Sequence, residues 1–137
     1  MDADVIIIGT GAGGGTLARA LAPSGLKLLL IERGDFLPRE KDNWRAVAVF
    51  GQHRYHNAEP WIDREGTPFR PVTGYHVGGN TKLYGAAVLR RRESDFGSVQ
   101  HAAGRTIAWP ISYTDLAPFY DTAEKWYFAH GLRGEDP

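Results

Sequence analysis

The sequence predicts an α/β fold that begins with two parallel strands joined by a helix. Two aliphatic runs, Val5–Ile8 and Leu28–Ile31, have the composition and length of buried strands. A glycine-rich turn follows the first run, and a small-residue segment of helical length, about 13–21, comes before a turn at Pro23-Ser24-Gly25. Strands that alternate with a helix favour a parallel pair, because the helix carries the chain back to the starting edge of the sheet.

The turn after the first predicted strand has the spacing G-x-G-x-x-G, with glycines at positions 9, 11 and 14. In this context the first glycine permits a sharp turn, the second opens the backbone to a pyrophosphate, and the third lets the helix pack closely. A pyrophosphate would also meet the unpaired N–H groups and the positive dipole end of the helix. We therefore predict that Gly9, Gly11, Ala12, Gly13 and Gly14 bind the ADP half of a dinucleotide.

An acidic residue, Glu32, follows the second predicted strand, 18 positions after Gly14. A carboxylate at this place accepts hydrogen bonds from the adenosine ribose, and it would repel a 2′-phosphate, which favours FAD or NAD over NADP. The alternative is a glycine-rich loop that binds no ligand. That alternative does not explain why the strand, the helix and the carboxylate all occur at the spacing of a nucleotide site. Residues 1–36 are thus predicted to form a Rossmann-like βαβ unit.

The bulk composition argues against several classes of function. The 16 basic and 16 acidic side chains cancel, which gives no electrostatic reason to expect a nucleic-acid or anionic-membrane partner. The chain has no cysteine, so disulfides, cysteine-based zinc sites and thiol chemistry are excluded. The first predicted strand is too short to target or span a membrane, and we expect a soluble, cytoplasmic protein.

Residues 37–73 are predicted to leave this unit as a loop and a hairpin. Apolar spacing favours a short helix over 43–50, and a turn at 63–66 separates two possible strands. Three prolines, Pro60, Pro68 and Pro71, keep this hairpin out of the centre of a sheet.

A second glycine segment opens the region 74–137. Gly78 and Gly79 place bare backbone next to another group, and Asn80 and Thr81 add short side chains that could bind phosphate or cap a helix. Residues 88–89 are expected to form a short strand or a helix end.

The C-terminal segment is predicted to be a helix that begins at Ser112, with Asp115 completing a capping box. Pro118 suggests that the first turn is a separate piece, and Gly131 suggests the stop. Apolar residues recur at helical spacing and are expected to pack in the core: Leu116, Phe119, Tyr120, Ala123 and Trp126.

Taken together, these segments resemble the N-terminal part of the glucose–methanol–choline (GMC) family of FAD-dependent oxidoreductases, nearest its sugar-acid and polyol dehydrogenase branch. The matching residues are 4–15, 30–34, 77–81 and 109–113, with Asp115-Leu116 and Phe119-Tyr120. The first of these motifs is generic to flavoproteins with two dinucleotide sites, whereas the blocks around Gly78-Gly79 and Trp109-Pro110 are more specific. They argue against a different two-dinucleotide flavoenzyme or an NAD-dependent reductase.

The resemblance implies oxidation of an alcohol, polyol or sugar by hydride transfer to FAD. The implied cofactor-binding residues are Gly9, Gly11, Ala12, Gly13, Gly14, Glu32, Arg33, Gly78, Gly79, Asn80 and Thr81. Some members attach FAD through a histidine, but the matching position here is Leu83, so that bond is not expected. Tyr84 stands where many members have asparagine.

No residue matches the catalytic histidine of the family or the residue paired with it, so no catalytic residue is expected in this chain. The later strands of the sheet and the substrate domain are also unmatched. We expect a fragment that is inactive alone, such as a truncated product or one piece of a split enzyme with a separately encoded C-terminal segment. The alternative is a non-catalytic remnant that keeps only its affinity for a dinucleotide.

Two other constellations are weaker. His53, His56 and Glu59 could be drawn as a metal site, but no fixed helix or further ligand supports one, and we expect no metal. Asp95, Ser98 and His101 suggest a hydrolase triad by composition alone, without a G-x-S-x-G elbow.

Overall fold

The computed structural model of the protein describes residues 2–85 and 87–131. The chain divides into two compact units, a first unit over Met1–Gly85 and a second over Ala86–Pro137. No helix among the described residues is both long enough and apolar enough to cross a membrane.

The first unit begins with strand β1 (Val5–Ile8), helix α1 (Ala12–Leu21) and strand β2 (Leu28–Ile31). The strands are parallel, in register from Val5 opposite Leu28 to Ile8 opposite Ile31. Both strands have the predicted bounds, and α1 begins one residue before the predicted start. Ile7, between the sheet and the helix, is 4% exposed, because apolar side chains at this face pack away from water. A 3₁₀ turn over Ala22–Ser24 and Gly25 at φ 77° form the predicted turn.

The helix predicted over 43–50 is wrong as a single element. The structure has a 3₁₀ turn at Lys41–Trp44 and a π-helical turn at Val47–Gly51, separated by Arg45 in an extended conformation. A capping box between Glu40 and Asn43 closes the first turn, and Ala48 and Val49 are buried in the second. Trp44, which was predicted to lie on the apolar face of this helix, is 92% exposed, because the break at Arg45 turns it away from the buried Ala48 and Val49.

The predicted hairpin is confirmed as strands β3 (Trp61–Ile62) and β4 (Pro68–Phe69), which pair antiparallel. The carboxylate of Asp63 accepts hydrogen bonds from the N–H groups of Glu65 and Thr67, and Gly66 has φ 83°. Both strands are exposed, so the hairpin lies on the surface as the prolines predicted.

The second unit holds a 3₁₀ turn (Glu93–Phe96), a hairpin of β5 (Gln100–His101) and β6 (Gly104–Arg105), and helix α2 (Tyr113–Tyr127). The short strand or helix end expected at 88–89 is wrong, because those residues form no regular structure. The side chain of the next residue, Arg90, bonds to α2 instead.

Helix α2 starts with the predicted capping box. The Ser112 hydroxyl accepts a hydrogen bond from the Asp115 N–H, and the Asp115 carboxylate accepts one from the Ser112 N–H. The predicted break at Pro118 is wrong: the helix runs without interruption from Tyr113 to Tyr127 and contains Pro118 in its second turn. The predicted stop at Gly131 is also wrong, since Phe128, in the left-handed region at φ 53°, ends the helix.

The aromatic face of α2 is not the core that its spacing predicts. No residue of the helix is buried, and Phe119 is 69% exposed. Among the described residues of the second unit, Phe96 is the one buried hydrophobic side chain, and its ring contacts those of Trp109 and Tyr113. Periodicity thus identifies the helix, but the few elements of this unit leave its apolar face half covered.

Candidate functional site

The candidate site is built on the turn between β1 and α1. Gly9 has φ 89°, a conformation that favours glycine, and its N–H donates to the Ile31 carbonyl at the end of β2 over 2.7 Å. A Cβ on Gly14 would lie 1.9 Å from the Gly9 carbonyl oxygen. Gly9 therefore permits the sharp exit from the strand, and Gly14 permits the close packing of the helix, as the motif predicts.

The start of α1 carries no compensating negative side chain. Gly11 precedes the helix without a capping side chain, and the first turn carries no acidic residue. Helix N-termini are positive, and a capping oxygen or a carboxylate normally compensates them. The arrangement therefore suits a phosphate group at this end.

The second glycine loop lies directly on this turn. Gly78 and Gly79 both have positive φ, at 97° and 59°. A Cβ on Gly79 would lie 3.1 Å from the Gly11 Cα, so the two backbones meet with no side chain between them. The structure thus brings together two motifs that are 68 residues apart.

Two predicted phosphate ligands, Asn80 and Thr81, make hydrogen bonds within the second loop in this structure. The side-chain oxygen of Asn80 accepts hydrogen bonds from the Gly74 N–H at 2.9 Å and the Thr73 hydroxyl at 3.2 Å. The Thr81 hydroxyl donates to the Gly78 carbonyl. These bonds shape the 3₁₀ turn Gly79–Lys82, and a phosphate contact from either side chain stays a prediction.

The carboxylate of Glu32 accepts four hydrogen bonds where β2 ends. Its Oε2 accepts from the Thr10 N–H at 2.9 Å and the Thr10 hydroxyl at 2.7 Å. Its Oε1 accepts from the N–H groups of Arg33 and Gly34 at 2.8 and 3.1 Å. The bonds from Thr10, first its side chain and then its backbone, with those from Gly34 and Arg33, lower the pKa of Glu32 to about 2.

Sequence reasoning assigned no role to Thr10. Besides donating to Glu32, its hydroxyl accepts a hydrogen bond from the Gly78 N–H at 2.9 Å. The one available signal was a hydroxyl residue between the first two glycines, a position that the motif leaves unspecified.

The guanidinium of Arg33 contacts Tyr75 and Glu59. It lies 3.8 Å from the centre of the Tyr75 ring and pairs with Glu59 at 2.7 Å. The Tyr75 hydroxyl donates to the same Glu59 oxygen, and this bond, ahead of the charge of Arg33, lowers the pKa of Glu59. Contact between Arg33 and a cofactor stays a prediction.

An open cavity of about 900 Å³ adjoins the second loop. Its lining combines aromatic and aliphatic side chains, among them Phe36, Trp44 and Val77, with cationic groups such as Lys82 and with the acidic Glu40. Such a lining can take a ring system that carries polar or anionic substituents.

The two weaker constellations do not assemble. The rings of His53 and His56 stack 4.6 Å apart, and within 2–85 and 87–131 no group of three or more metal-type side chains converges. Ser98 donates to the Thr106 carbonyl, and His101 accepts from the Ala103 N–H, so these two make separate local bonds.

Comparison with known proteins relates the chain to oxidoreductases. Paromamine 6′-oxidase of Streptomyces fradiae is 37% identical over 131 residues, 89% of this chain and 22% of that protein. The 2-methyl-1,2-propanediol dehydrogenase of Mycolicibacterium austroafricanum is 32% identical over 96% of this chain and 25% of its own length. A GMC-type oxidoreductase of Sinorhizobium fredii is 32% identical over 69% of this chain and 18% of that protein.

One solved structure is also similar to the chain. The crystal structure of pyridoxine 4-oxidase from Mesorbium loti matches with a TM-score of 0.53 and 27% identity, over 69% of this chain and 20% of that one. No family model matches the chain. The chain spans about a quarter of the length of four curated relatives, between 22% and 29%.

Proposed function

The chain belongs to the GMC family of oxidoreductases, and from this premise we propose that it is the FAD-binding segment of an enzyme that oxidises CH–OH groups. The substrate class proposed is a small alcohol, polyol or sugar, in keeping with the names of its relatives. The unit β1–α1–β2 is then the start of a Rossmann-like FAD-binding sheet.

One observation carries the proposal: the Gly79 backbone packs on that of Gly11 beside the N-terminus of α1, which has no side-chain cap. Side chains at these two positions would fill the space through which a pyrophosphate approaches the backbone. The same turn receives the carboxylate of Glu32, so groups suited to phosphate and to ribose lie next to each other.

The residues present fit the ADP half of FAD. The first turn of α1 and the loop at Gly78 and Gly79 would hold the pyrophosphate, and Glu32 would accept hydrogen bonds from the ribose hydroxyls. Glu32 is charged at neutral pH, and this charge opposes a 2′-phosphate and disfavours NADP. The flavin, when bound, supplies the hydride acceptor. We assign no general base to this chain.

The test is FAD binding by the purified full-length protein, followed in the visible spectrum and by quenching of flavin fluorescence. Gly11→Val should abolish binding, because a branched side chain would occupy the pyrophosphate space. Gly97→Val is the matched control: Gly97 lies in the second unit at φ −80°, and its Cβ would make an ordinary contact of 3.5 Å. Unchanged FAD affinity in Gly11→Val, or binding of NADP in place of FAD, would refute the assignment.

A further inference from the structure

We propose that the Thr10 hydroxyl is a positioning group of the nucleotide site, which holds the Glu32 carboxylate and the Gly78 N–H in one fixed arrangement. The two glycine loops would then engage one cofactor together, the first through α1 and the second through its exposed backbone, while the N–H groups of Gly78 and Gly79 stay bound to the Thr10 hydroxyl and the His76 carbonyl. This inference rests on the proposed function and adds a residue that the glycine motif leaves open.

The hydrogen bonds of Thr10 carry the argument. Its Oγ1 donates to Glu32 at 2.7 Å and accepts from the Gly78 N–H at 2.9 Å. A hydroxyl has one proton, so donation to the carboxylate leaves its lone pairs for Gly78. Because a charged Glu32 carboxylate can only accept, the Thr10 hydroxyl must donate to Glu32 and accept from Gly78.

The reach of the side chain makes this a positioning contact. Oγ1 is one rotatable bond from the main chain of the first loop, and the Thr10 N–H binds the same Glu32 oxygen at 2.9 Å. The Thr10 hydroxyl thereby ties the Gly78 N–H closely to the turn that precedes α1. The next residue, Gly79, packs on Gly11, so a shift of this anchor would move the second loop off the first.

The neighbouring Arg33 guanidinium does not take the place of Thr10 as a partner of the Glu32 carboxylate. Arg33 is adjacent, but its guanidinium pairs with Glu59 and covers Tyr75. The Thr10 side chain is the largest cause of the low pKa of Glu32. Its removal should move that pKa towards the ordinary value.

The test compares FAD affinity of the full-length protein with Thr10→Val, Thr10→Ser and a control, Thr122→Val. Valine keeps the shape of threonine but can neither donate nor accept, whereas serine keeps the hydroxyl. Thr10→Val should raise the FAD dissociation constant roughly 10- to 100-fold at neutral pH, as expected for loss of a charge-assisted hydrogen bond. Thr10→Ser should stay within about threefold of the parent protein, since it keeps both bonds.

The pH dependence separates positioning from a general loss of folding. Between about pH 7.5 and pH 4.5 the parent protein should show a nearly constant FAD affinity, because Glu32 stays ionised well below this range. In Thr10→Val the affinity should fall further as the pH approaches 4.5. Thr122 lies in α2 of the second unit, where its exposed hydroxyl donates to the Pro118 carbonyl, so Thr122→Val should follow the parent at every pH.

Equal FAD affinity in Thr10→Val and the parent would overturn the inference, as would a loss of affinity in Thr10→Ser as large as that in Thr10→Val. Should Thr10→Val fail to fold, Thr10→Ala gives the same comparison with a smaller side chain. If the parent and Thr122→Val themselves bind no FAD, the proposed function fails, and this inference with it.

Discussion

The carbonyl oxygen of Gly9 occupies the place where Gly14 would otherwise carry a side chain. A Cβ on Gly14 would stand 1.9 Å from that oxygen and 3.1 Å from a methyl carbon of Ile7. The neighbouring backbone atoms belong to β1 and its exit turn, so they cannot move without displacing the strand. Gly14 is therefore required by the fold itself, before any ligand is considered.

This relationship predicts opposite effects for two alanine substitutions in the same helix. Gly14→Ala should destabilise the unliganded protein by about 3 kcal/mol or more, because backbone must shift to admit the methyl group. A Cβ on Gly13 would have nothing within 4 Å, so Gly13→Ala should stabilise the helix by about 0.5–1 kcal/mol. Urea unfolding followed by circular dichroism measures both, and equal unfolding free energies would contradict the packing described.

An element of the fold could be predicted from the sequence where neighbouring residues determine it. Strands β1 and β2, helix α1 and the capping box of Ser112 are set by neighbours within a few residues, and all of them were predicted, whereas the hairpin of β5 and β6 was not. The break at Arg45 and the stop at Phe128 were not, because each depends on backbone angles that ordinary residues seldom signal.

The site was predicted in its parts but not in its assembly. The glycines and Glu32 follow a known spacing, whereas the bond from Gly78 to Thr10 joins residues 68 positions apart. Nothing in the local sequence shows that a threonine hydroxyl will accept that N–H. Likewise, helical spacing marked the aromatic residues of α2 as apolar without revealing that Phe119 stays 69% exposed.

The second prediction concerns the dependence of stability on pH. Because the folded pKa of Glu32 lies near 2, below its ordinary value of 4.5, its charged form favours the folded state. That contribution is fully present above about pH 4.5 and is lost as the pH falls towards 2. Glu32→Gln removes it, so the parent should be more stable than the variant at neutral pH, by a margin that narrows below about pH 4.5.

The measurement is the difference in unfolding free energy between the parent and Glu32→Gln at a series of pH values. The difference isolates Glu32 from other carboxyl groups with lowered pKa, namely Glu40, Glu59 and Asp115. A margin that stays constant down to about pH 3, or that widens on acidification, would show that the four bonds do not hold Glu32 in its charged form.

The third prediction concerns the anchor of α2 in the second unit. Arg90 has a side chain only 12% exposed, and it bonds both oxygens of Glu124 at 2.5 Å and Asp121 at 2.6 Å. Its guanidinium also lies 5.4 Å from the centre of the Tyr120 ring. Glu124, as the largest influence, raises the pKa of Arg90 further above its ordinary value, so the group is charged at every pH of interest.

Arg90→Met should therefore destabilise the protein by about 2 kcal/mol, since it leaves two carboxylates facing each other without their shared cation. Arg90→Lys should recover only part of this loss, because an ammonium cannot bond both Glu124 oxygens as a planar fork does. Arg92→Met is the control: that side chain is 78% exposed and lies 3.8 Å from Asp95, so the change should stay below about 0.5 kcal/mol. Thermal and urea unfolding of the three variants would contradict this account if Arg90→Met and Arg92→Met behaved alike.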